Sequence, residues 1–412
     1  MKKHSKGNEE SKQQQSGNGN RASKRATKLA VNHQPAKKGK RAVRVTQVTG
    51  AAPLPGIPER TVGMDLGNKY CHWCQLDRDG NKVASGRVPT DELGEFFKQM
   101  PASRVVMETG TYAHWASRKA VESGHEVYVA NSRHLRTIYE NPGKNDAYDA
   151  EMLARLGRMD LTLLRPVQLR GAEMQMDLSM LRARDQVVQA RSKLIAAARN
   201  LVKGFGIRLP DCDAAYFHRH AVGVVPKELR PTIDPLIKAV GRLTATIQAY
   251  DKRVERVARQ RYPEIAVLEQ VKGVGALTAL GYRLTLAERN RFHKSREVGP
   301  YLGLTRKRDQ SGEEDPELGI TKAGDGYLRR LLVGSAHYIL GPFGPDTDLR
   351  RFGLRLMGES DPSRRNKKHS KGRKKRAVVA VARKLAVLLH ALWTSGEVYE
   401  PLRNSQAAAS AN

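Results

Sequence analysis

Cysteine is scarce in this 412-residue chain, with only Cys71, Cys74 and Cys212. So few thiols are typical of a protein from a reducing compartment rather than of a disulfide-stapled secreted domain. The pair in "CHWC" (71–74) resembles half of a zinc site, but a structural zinc usually needs four ligands and the chain has no second pair. We therefore interpret Cys71 and Cys74 as strand residues rather than as zinc ligands.

Long hydrophobic runs are also missing. No stretch approaches the about 18–20 apolar residues that a membrane span needs, and the N-terminus lacks the apolar core of a signal peptide. The sequence therefore predicts a cytoplasmic protein of bacterial type, associated with the nucleoid and without a membrane partner.

Acidic residues are few, with 42 Asp and Glu against 73 Lys and Arg, which gives a formal charge of +31. Two tracts carry most of the excess: residues 1–45, and "RRNKKHSKGRKKR" at 364–376. Basic tracts of this density bind nucleic-acid phosphates or anionic membrane, and the membrane is disfavoured by the lack of a span. The expected partner is DNA, RNA or both.

The composition and the hydrophobic pattern change along the chain and predict five segments. Residues 1–58 read as a flexible basic arm that ends in a Pro-rich linker. Residues 59–164 alternate strand-like runs such as "TVGMDLG", "RVVMETG" and "HEVYVAN" with helical stretches, which predicts a compact α/β domain. A hairpin is expected around "DRDG", and a helix from Asp146 to about Met159.

Residues 165–263 predict two long helices. From Met180 the apolar pairs 180/181, 187/188, 194/195 and 201/202 recur every seven residues. The second helix has a coiled-coil seam formed by Leu236, Val240, Leu243, Ile247, Tyr250, Val254 and Val257. The two helices would form an antiparallel hairpin within one chain, or the seam would pair with another subunit; the sequence leaves both open.

Residues 264–400 predict a small helical domain, followed by a tail at 401–412. Its opening "VKGVGALTALGYRL" resembles half of a helix-hairpin-helix, in which a Gly-x-Gly turn directs backbone N–H groups at a phosphate. Gly273 and Gly275 are therefore candidate nucleic-acid contacts, and close helix packing is the other explanation for them.

Four acids stand out within the basic chain. Asp65 interrupts an apolar strand and Glu108 directly follows one, while Asp146 and Asp149 share one face of a helix. Acidic residues often open helices, which alone would explain the helical pair. If the strand ends and the helix meet at one sheet edge, however, the four carboxylates form a set of hard oxygen ligands suited to Mg²⁺.

In its order of motifs the chain resembles a known family. "MDLG", "METG" and "KNDAYDA" are similar to the RuvC-like branch of the ribonuclease H fold, and "GVGALTAL", "YLGLTRKRDQSG" and "GITKAGDGYLRRLL" follow as in the insertion-sequence transposases of family 110. The resemblance covers roughly residues 60–400. It implies a RuvC-like domain with a long helical coiled-coil insertion and a C-terminal helical transposase domain.

That resemblance also implies the site. Asp65, Glu108, Asp146 and Asp149 would be catalytic and bind Mg²⁺, and Ser311 in "LGLTRKRDQSG" would be the catalytic serine. The chain departs from the family at Arg306, where proline is usual. Sequence alone would make Ser311 a turn residue, because no base lies within three residues of it.

Further basic residues are candidate phosphate contacts, with a solvated surface as the alternative for each: Arg306, Lys307, Arg308, Lys322, Arg329 and Arg330. Ser335 lies inside an apolar helix and is interpreted as structural. No metal-ligand spacing and no role are assigned to His72, His114, His134 or His293.

The leading hypothesis is a DNA recombinase or transposase that cuts and rejoins donor and target DNA. The resemblance implies guidance by a structured bridge RNA, and a homo-oligomer, dimer or tetramer, is expected. One alternative is a RuvC-like junction nuclease that needs only the acids. Another is a non-enzymatic RNA-binding or nucleoid protein in which the acids only balance charge.

Overall fold

The computed structural model describes residues 56, 58–132, 135, 145–308, 318–358 and 371–403. The basic arm predicted at the N-terminus and most of the last ten residues lie outside this part of the chain.

A five-stranded mixed sheet forms the centre of the N-terminal region, with strand order β3-β2-β1-β4-β5. The strands are β1 (Arg60–Leu66), β2 (Tyr70–Asp77), β3 (Lys82–Pro89), β4 (Arg104–Glu108) and β5 (Glu126–Ala130). β1, β2 and β3 are antiparallel neighbours, whereas β4 and β5 run parallel to β1. The predicted strands and the hairpin at "DRDG" are confirmed, and the order fits a RuvC-like domain.

Within the described residues, four helices accompany the sheet. They are α1 (Leu93–Gln99), α2 (Ala113–Glu122), α3 (Asp146–Met159) and the short α4 (Leu161–Leu164). The bounds of α3 agree with the sequence prediction.

Small residues bring α3 into backbone contact with the sheet. A Cβ atom on Gly63 of β1 would lie 2.0 Å from the carbonyl oxygen of Ala150 and 2.3 Å from the amide nitrogen of Ala154. A Cβ on Gly157 would in turn meet the Val106 side chain at 2.2 Å. The helix therefore lies closer to β1 than any side chain at Gly63 would permit.

The two cysteines of "CHWC" lie on β2, both buried, and belong to different hydrophobic clusters. Cys71 packs in the core beneath α1 and α2, and Cys74 packs against Ala150 and Ala154 of α3. Because the two thiols point to opposite faces of the sheet, they cannot share a metal ion.

Two helices of 32 residues each, α5 (Ala172–Lys203) and α7 (Arg230–Arg261), pack against one another within the chain. Ile195 and Val202 near the end of α5 contact Ile233 and Ile237 near the start of α7, so the pair is antiparallel. Of the two arrangements that the sequence left open, the hairpin within one chain is the one found. The short α6 (Phe217–His220) lies in the connection between the long helices.

The buried stripe of α7 differs from the predicted seam. Val240, Ile247 and Val254 are buried as expected, but Leu236, Leu243, Tyr250 and Val257 are only partly covered. The remaining buried positions are Ile233, Ile237, Thr244 and Ala258. The buried positions keep the heptad spacing, but Ile237, Thr244 and Ala258 each lie one residue after a predicted position.

The C-terminal region is helical, as predicted. Its helices are α8 (Ala266–Glu269), α9 (Ala276–Leu286), α10 (Val298–Tyr301), α11 (Gly326–Leu340), α12 (Asp348–Met357) and α13 (Lys371–Ser395). Their core also includes Leu178, Leu181 and Val254 from the base of the α5/α7 hairpin. The hairpin and this helical region are therefore built around one shared core.

Helix α13 contradicts the expectation that no segment is long and apolar enough for a membrane span. Residues 372–395 meet that test by length and composition, although 56% of the tested window is buried inside the protein. The helix packs against α11 and α12 and contributes Val381, Leu385 and Leu389 to the core. Core helices pass the same compositional test, and the burial of α13 explains its apolar character.

Candidate active site

The C-terminal ends of β1 and β4 bring two of the predicted acids to one edge of the sheet. The strands are parallel neighbours in which Met64 pairs with Met107, so that Asp65 and Glu108 are the next residues along each strand. Both residues are partly buried.

The first turn of α3 supplies the other two acids. Asn145 caps this helix by accepting a hydrogen bond from the Tyr148 backbone N–H at 2.9 Å, so the helix begins at Asp146. Asp149 is 8% exposed, whereas two-thirds of the Asp146 side chain is accessible. Both acids also lie at the positive end of the helix dipole, where negative charge is favourable. Their position at the start of a helix is therefore compatible with a role in the site.

Asp65 lies within electrostatic range of each of the other three acids. Burial, followed by the charges of Asp146, Asp149 and Glu108, raises the pKa of Asp65 to about 6, while His72 acts in the opposite direction. Mutual repulsion among carboxylates is the sign of a site that favours a cation or a shared proton.

His72 is a neighbour of this cluster that sequence reasoning missed. It lies on β2 directly opposite Asp65, and its Nδ1 lies 3.4 Å from Oδ2 of Asp146. The predicted hairpin at "DRDG" joins β2 to β3 and sets His72 opposite Arg87. The signal that could have found the contact is the short "GNK" turn (67–69) between β1 and β2, about which position 65 pairs with position 72. The histidine links the strand carrying one acid to the helix carrying two others.

The donor set fits a divalent cation in its chemistry. Carboxylate oxygens are the ligands that Mg²⁺ prefers, and the raised pKa of Asp65 reflects in part a repulsion that a cation would relieve. Within the described ranges, however, no three acidic, histidine or cysteine side chains converge closely enough to form a metal-binding group. The structure thus gathers the four acids without bringing their oxygens to ligand distances.

In the C-terminal region, three of the predicted basic residues form an exposed strand-like segment. Arg306, Lys307 and Arg308 are all exposed; Arg306 forms a β-bridge with Ile320, and the Lys307 N–H donates to the Gly319 carbonyl at 2.8 Å. Lys322 is also exposed and has a positive φ of 54°.

Comparison with known proteins gives two matches to models of one family. Residues 62–207 match the DEDD transposase domain of IS110 elements, and residues 265–345 match the model described as "Transposase IS116/IS110/IS902 family". The chain belongs to the IS110 family of transposases.

Individual relatives align with this IS110 transposase over most of their own length. The transposase of insertion sequence element IS1111A from Coxiella burnetii is 26% identical over 82% of this chain and 91% of the relative. A probable family 20 transposase from Pseudomonas aeruginosa is 27% identical over 82% of this chain and 98% of the relative. A putative transposase from Sinorhizobium fredii is 29% identical over 82% of this chain and 85% of the relative.

Transposases catalyse DNA strand transfer, so the protein is an enzyme, and the reading of it as a non-enzymatic basic protein is wrong. The first matched segment contains Asp65, Glu108, Asp146 and Asp149. The acids that the structure gathers at the sheet edge are therefore all within the DEDD domain of the transposase.

The Gly-x-Gly turn of the transposase has the close helix packing that was one of the two explanations for it. A Cβ on Gly273, whose φ is 97°, would lie 2.9 Å from the Tyr338 ring, so this glycine is required for packing on α11. Gly275 is the N-cap of α9. Gly273, Gly275 and Arg330 line one concavity of about 530 Å³.

Arg329 and Arg330 differ in what they contact. Arg329 donates from Nη1 to the carbonyl oxygens of Leu302 at 2.9 Å and Gly324 at 3.2 Å, and so ties the loop before α11 to the end of α10. Arg330 is exposed and pairs with Asp185 of α5. These contacts give Arg329 a structural task that the sequence did not suggest.

Two residues considered from the sequence, Ser311 and His134, lie outside the described residues. Ser335 is 5% exposed within α11 and packs against the Gly273 turn, in agreement with its interpretation as structural.

Proposed function

We propose that this transposase cuts and rejoins DNA at the donor and target sites of its insertion sequence through a composite centre. The centre combines the acidic cluster of Asp65, Glu108, Asp146 and Asp149 with the hydroxyl of Ser311. The observation that carries the proposal is the position of Asp65 and Glu108 at the ends of the parallel neighbours β1 and β4, with the charges of Asp146 and Asp149 acting on Asp65.

Mg²⁺ is the proposed cofactor, held by those four carboxylates. When bound, such an ion stabilises charge on phosphate oxygens and makes a hydroxyl easier to deprotonate. The protein's own contribution is placement: β1, β4 and α3 hold the acids, and the contact of α3 with Gly63 fixes their spacing.

Ser311 is the proposed nucleophile, on the strength of the motif "LGLTRKRDQSG". Its Oγ forms a bond to phosphorus as the bond from phosphorus to one deoxyribose oxygen breaks. The serine proton passes to a base or to water, and the departing oxygen takes up a proton to become a hydroxyl. Attack by the hydroxyl of another strand reverses these steps and releases the serine, so the phosphodiester energy is conserved.

Nucleic acid is bound through the basic surfaces, among which we include the exposed Arg306, Lys307, Arg308 and Lys322, together with Gly273, Gly275 and Arg330. Arg329 is retained only as a supporting residue of this surface. We further propose that a structured guide RNA selects the DNA sites, and that the active form is a dimer or tetramer. Sequencing the RNA that copurifies with the full-length protein tests the guide.

Trapping the covalent intermediate tests the centre as a whole. The protein is incubated with Mg²⁺ and a suicide substrate carrying the insertion-sequence end, the DNA is digested, and peptides are analysed by mass spectrometry. We expect a nucleotide-bearing peptide that contains Ser311, lost in Ser311→Ala and in Asp65→Asn but kept in the control Ser335→Ala.

Full strand transfer by Ser311→Ala would overturn the serine assignment. Cleavage by that variant to free ends, without rejoining, would favour the junction nuclease, which cuts with water and needs only the acids. An adduct on Ser335 would likewise contradict it. Full activity in Asp65→Asn would refute the acidic cluster as the site of chemistry.

A further inference from the structure

A second cavity lies at the same sheet edge as the acidic cluster, between the segments that follow β1 and β4. The Tyr112 hydroxyl donates to Oδ1 of Asn68 at 2.8 Å and joins these two segments. Asn68 follows Asp65 by three positions and Tyr112 follows Glu108 by four. Because β1 and β4 are parallel neighbours, both segments leave the sheet at the edge where Asp65 and Glu108 lie.

Three aromatic side chains line this cavity, whose volume is about 720 Å³. Tyr70 is 44% exposed, and Tyr112 and Trp115 meet edge to face with ring centroids 6.4 Å apart. In a chain with only 6% aromatic residues, three of them around one open cavity need an explanation. The exposed ring of Tyr70, with the partly buried rings of Tyr112 and Trp115 on the same cavity, is suited to stacking against another planar group.

The polar groups around the rings narrow the choice of ligand. The Oδ1 atom of Asn68 is engaged by Tyr112, which leaves the amide N–H groups of Asn68 as donors, while the exposed carboxylate of Asp91 is an acceptor. Lys69 lines the cavity, and the Arg87 guanidinium lies 4.8 Å from the centre of the Tyr70 ring. A planar heterocycle with donors and acceptors on its edge, joined to an anionic backbone, matches this combination.

We infer that this cavity, formed by Tyr70, Tyr112 and Trp115, binds an unpaired base of the DNA strand whose phosphate lies at the acidic cluster. The inference rests on the proposed function, because it takes the strand at the carboxylates to be the reacting one. A base inside a duplex cannot reach such a pocket, so the nucleotide beside the scissile phosphate is unstacked and held there. Holding it fixes the position of the phosphate relative to the acids.

Photocrosslinking tests the occupant. Full-length protein is irradiated with the single-stranded insertion-sequence end, carrying 5-iododeoxyuridine at one position at a time across the junction, and the crosslinked peptides are sequenced. We expect crosslinks on Tyr70, Tyr112 or Trp115 from positions next to the cleaved bond. Crosslinks confined to aromatics elsewhere, or obtained at this cavity only with iodouridine-labelled RNA, would overturn the inference.

An abasic scan of the same DNA supplies the functional test. Removing the bound base should lower the strand-transfer rate about fivefold or more, as for loss of one stacked base, at one or two positions. Tyr70→Leu should cause a similar loss and should make the enzyme insensitive to that abasic position, whereas Tyr70→Phe retains the ring and the rate. Additive effects of Tyr70→Leu and the abasic position would contradict the inference.

Tyr216 is the matched control: it is 54% exposed and lies beneath Arg219 at 5.9 Å, in the connection between α5 and α7. Tyr216→Leu should leave the abasic profile unchanged. Asp65→Asn separates the two proposals. If that variant retains strand transfer, the proposed function fails; if it is inactive and the Tyr70→Leu profile matches the native one, only the base pocket fails.

Discussion

His72 and Asp146 come within 3.4 Å of one another, Nδ1 to Oδ2, across the gap between β2 and the first turn of α3. About a quarter of the His72 side chain is accessible, and two-thirds of the Asp146 side chain. The contact orients an acid that is otherwise free to turn toward solvent.

His72→Ala should lower the strand-transfer rate about two- to fivefold, because exposed ion pairs and hydrogen bonds contribute about 0.2–1 kcal/mol. His72→Asn, which keeps a hydrogen-bond donor, should recover most of the rate. Rates measured beside melting curves check this prediction; a melting temperature that falls as far as the rate would point to a folding defect instead.

Gly63→Ala should destabilise the protein by about 1–3 kcal/mol or more, because the new methyl group overlaps the backbone of α3. Strand transfer should fall further than the loss of folded protein explains, since the acids on α3 move with the helix. Gly110→Ala is the control, because a Cβ there meets nothing within 4 Å. Denaturant unfolding and activity at a temperature where both variants are folded are the measurements.

Asp177→Ala should destabilise the base of the α5/α7 hairpin. The buried Asp177 carboxylate accepts hydrogen bonds from Arg261 Nη1 and the Tyr262 hydroxyl, all at 3.0 Å. Leaving the Tyr262 hydroxyl without an acceptor costs about 1–3 kcal/mol.

The control for that variant is Asp251→Ala, which removes a more exposed partner of Arg184 in the same hairpin. An exposed pair contributes at most about 1 kcal/mol. Equal shifts in the denaturant midpoint for the two variants would contradict the assignment of Asp177 as the anchor of the hairpin.

Acid should weaken the fold through His114. Burial, followed by the charges of Arg170, Arg118 and Arg182, lowers the pKa of His114 to about 4. In the unfolded chain histidine takes up a proton near about pH 6.5. Between these values the unfolded state binds more protons, so stability falls as the pH decreases from about 6.5 toward 4 and is fully present above that window.

Urea unfolding at a series of pH values checks this sign. The loss on acidification should be smaller in His114→Asn, whose side chain does not titrate. Burial also lowers the pKa of His125 and His390, so part of the acid sensitivity should remain in the variant. An unchanged pH profile in His114→Asn would show that His114 is not a source of the acid sensitivity.

Neutralising Arg306, Lys307 and Arg308 with Gln should weaken DNA binding and flatten its salt dependence. Removing one phosphate contact reduces the slope of log K against log salt by about 0.9 on duplex DNA. Arg329→Gln should instead lower the melting temperature and leave the slope unchanged, because Arg329 bonds to the Leu302 and Gly324 carbonyls. Binding isotherms at several salt concentrations separate the two effects.

The strands and the gathering of the four acids followed from local pattern. Apolar runs bounded by turn residues identified β1 and β4, and the shared edge of parallel strands placed Asp65 beside Glu108. The contact of Asp177 with Arg261 joins residues 84 positions apart, so neither local sequence pattern predicts it. The same is true of Arg329, whose carbonyl partners depend on how two loops approach. The heptad seam was partly wrong because the packed helix buries the positions one residue after Leu236, Leu243 and Val257, whereas the apolar pattern alone favours those three.

Backbone contact at Gly63 has an evolutionary consequence. The gap between β1 and α3 is set where no side chain exists, so substitutions among the surrounding apolar residues do not alter it. Val62 and Met64 are fully buried in the core cluster beneath α1 and α2, so substitutions there act on the packing of that core. Substitutions that enlarge Gly63 act instead on the approach of α3 to β1, and with it on the position of the acids that the helix carries.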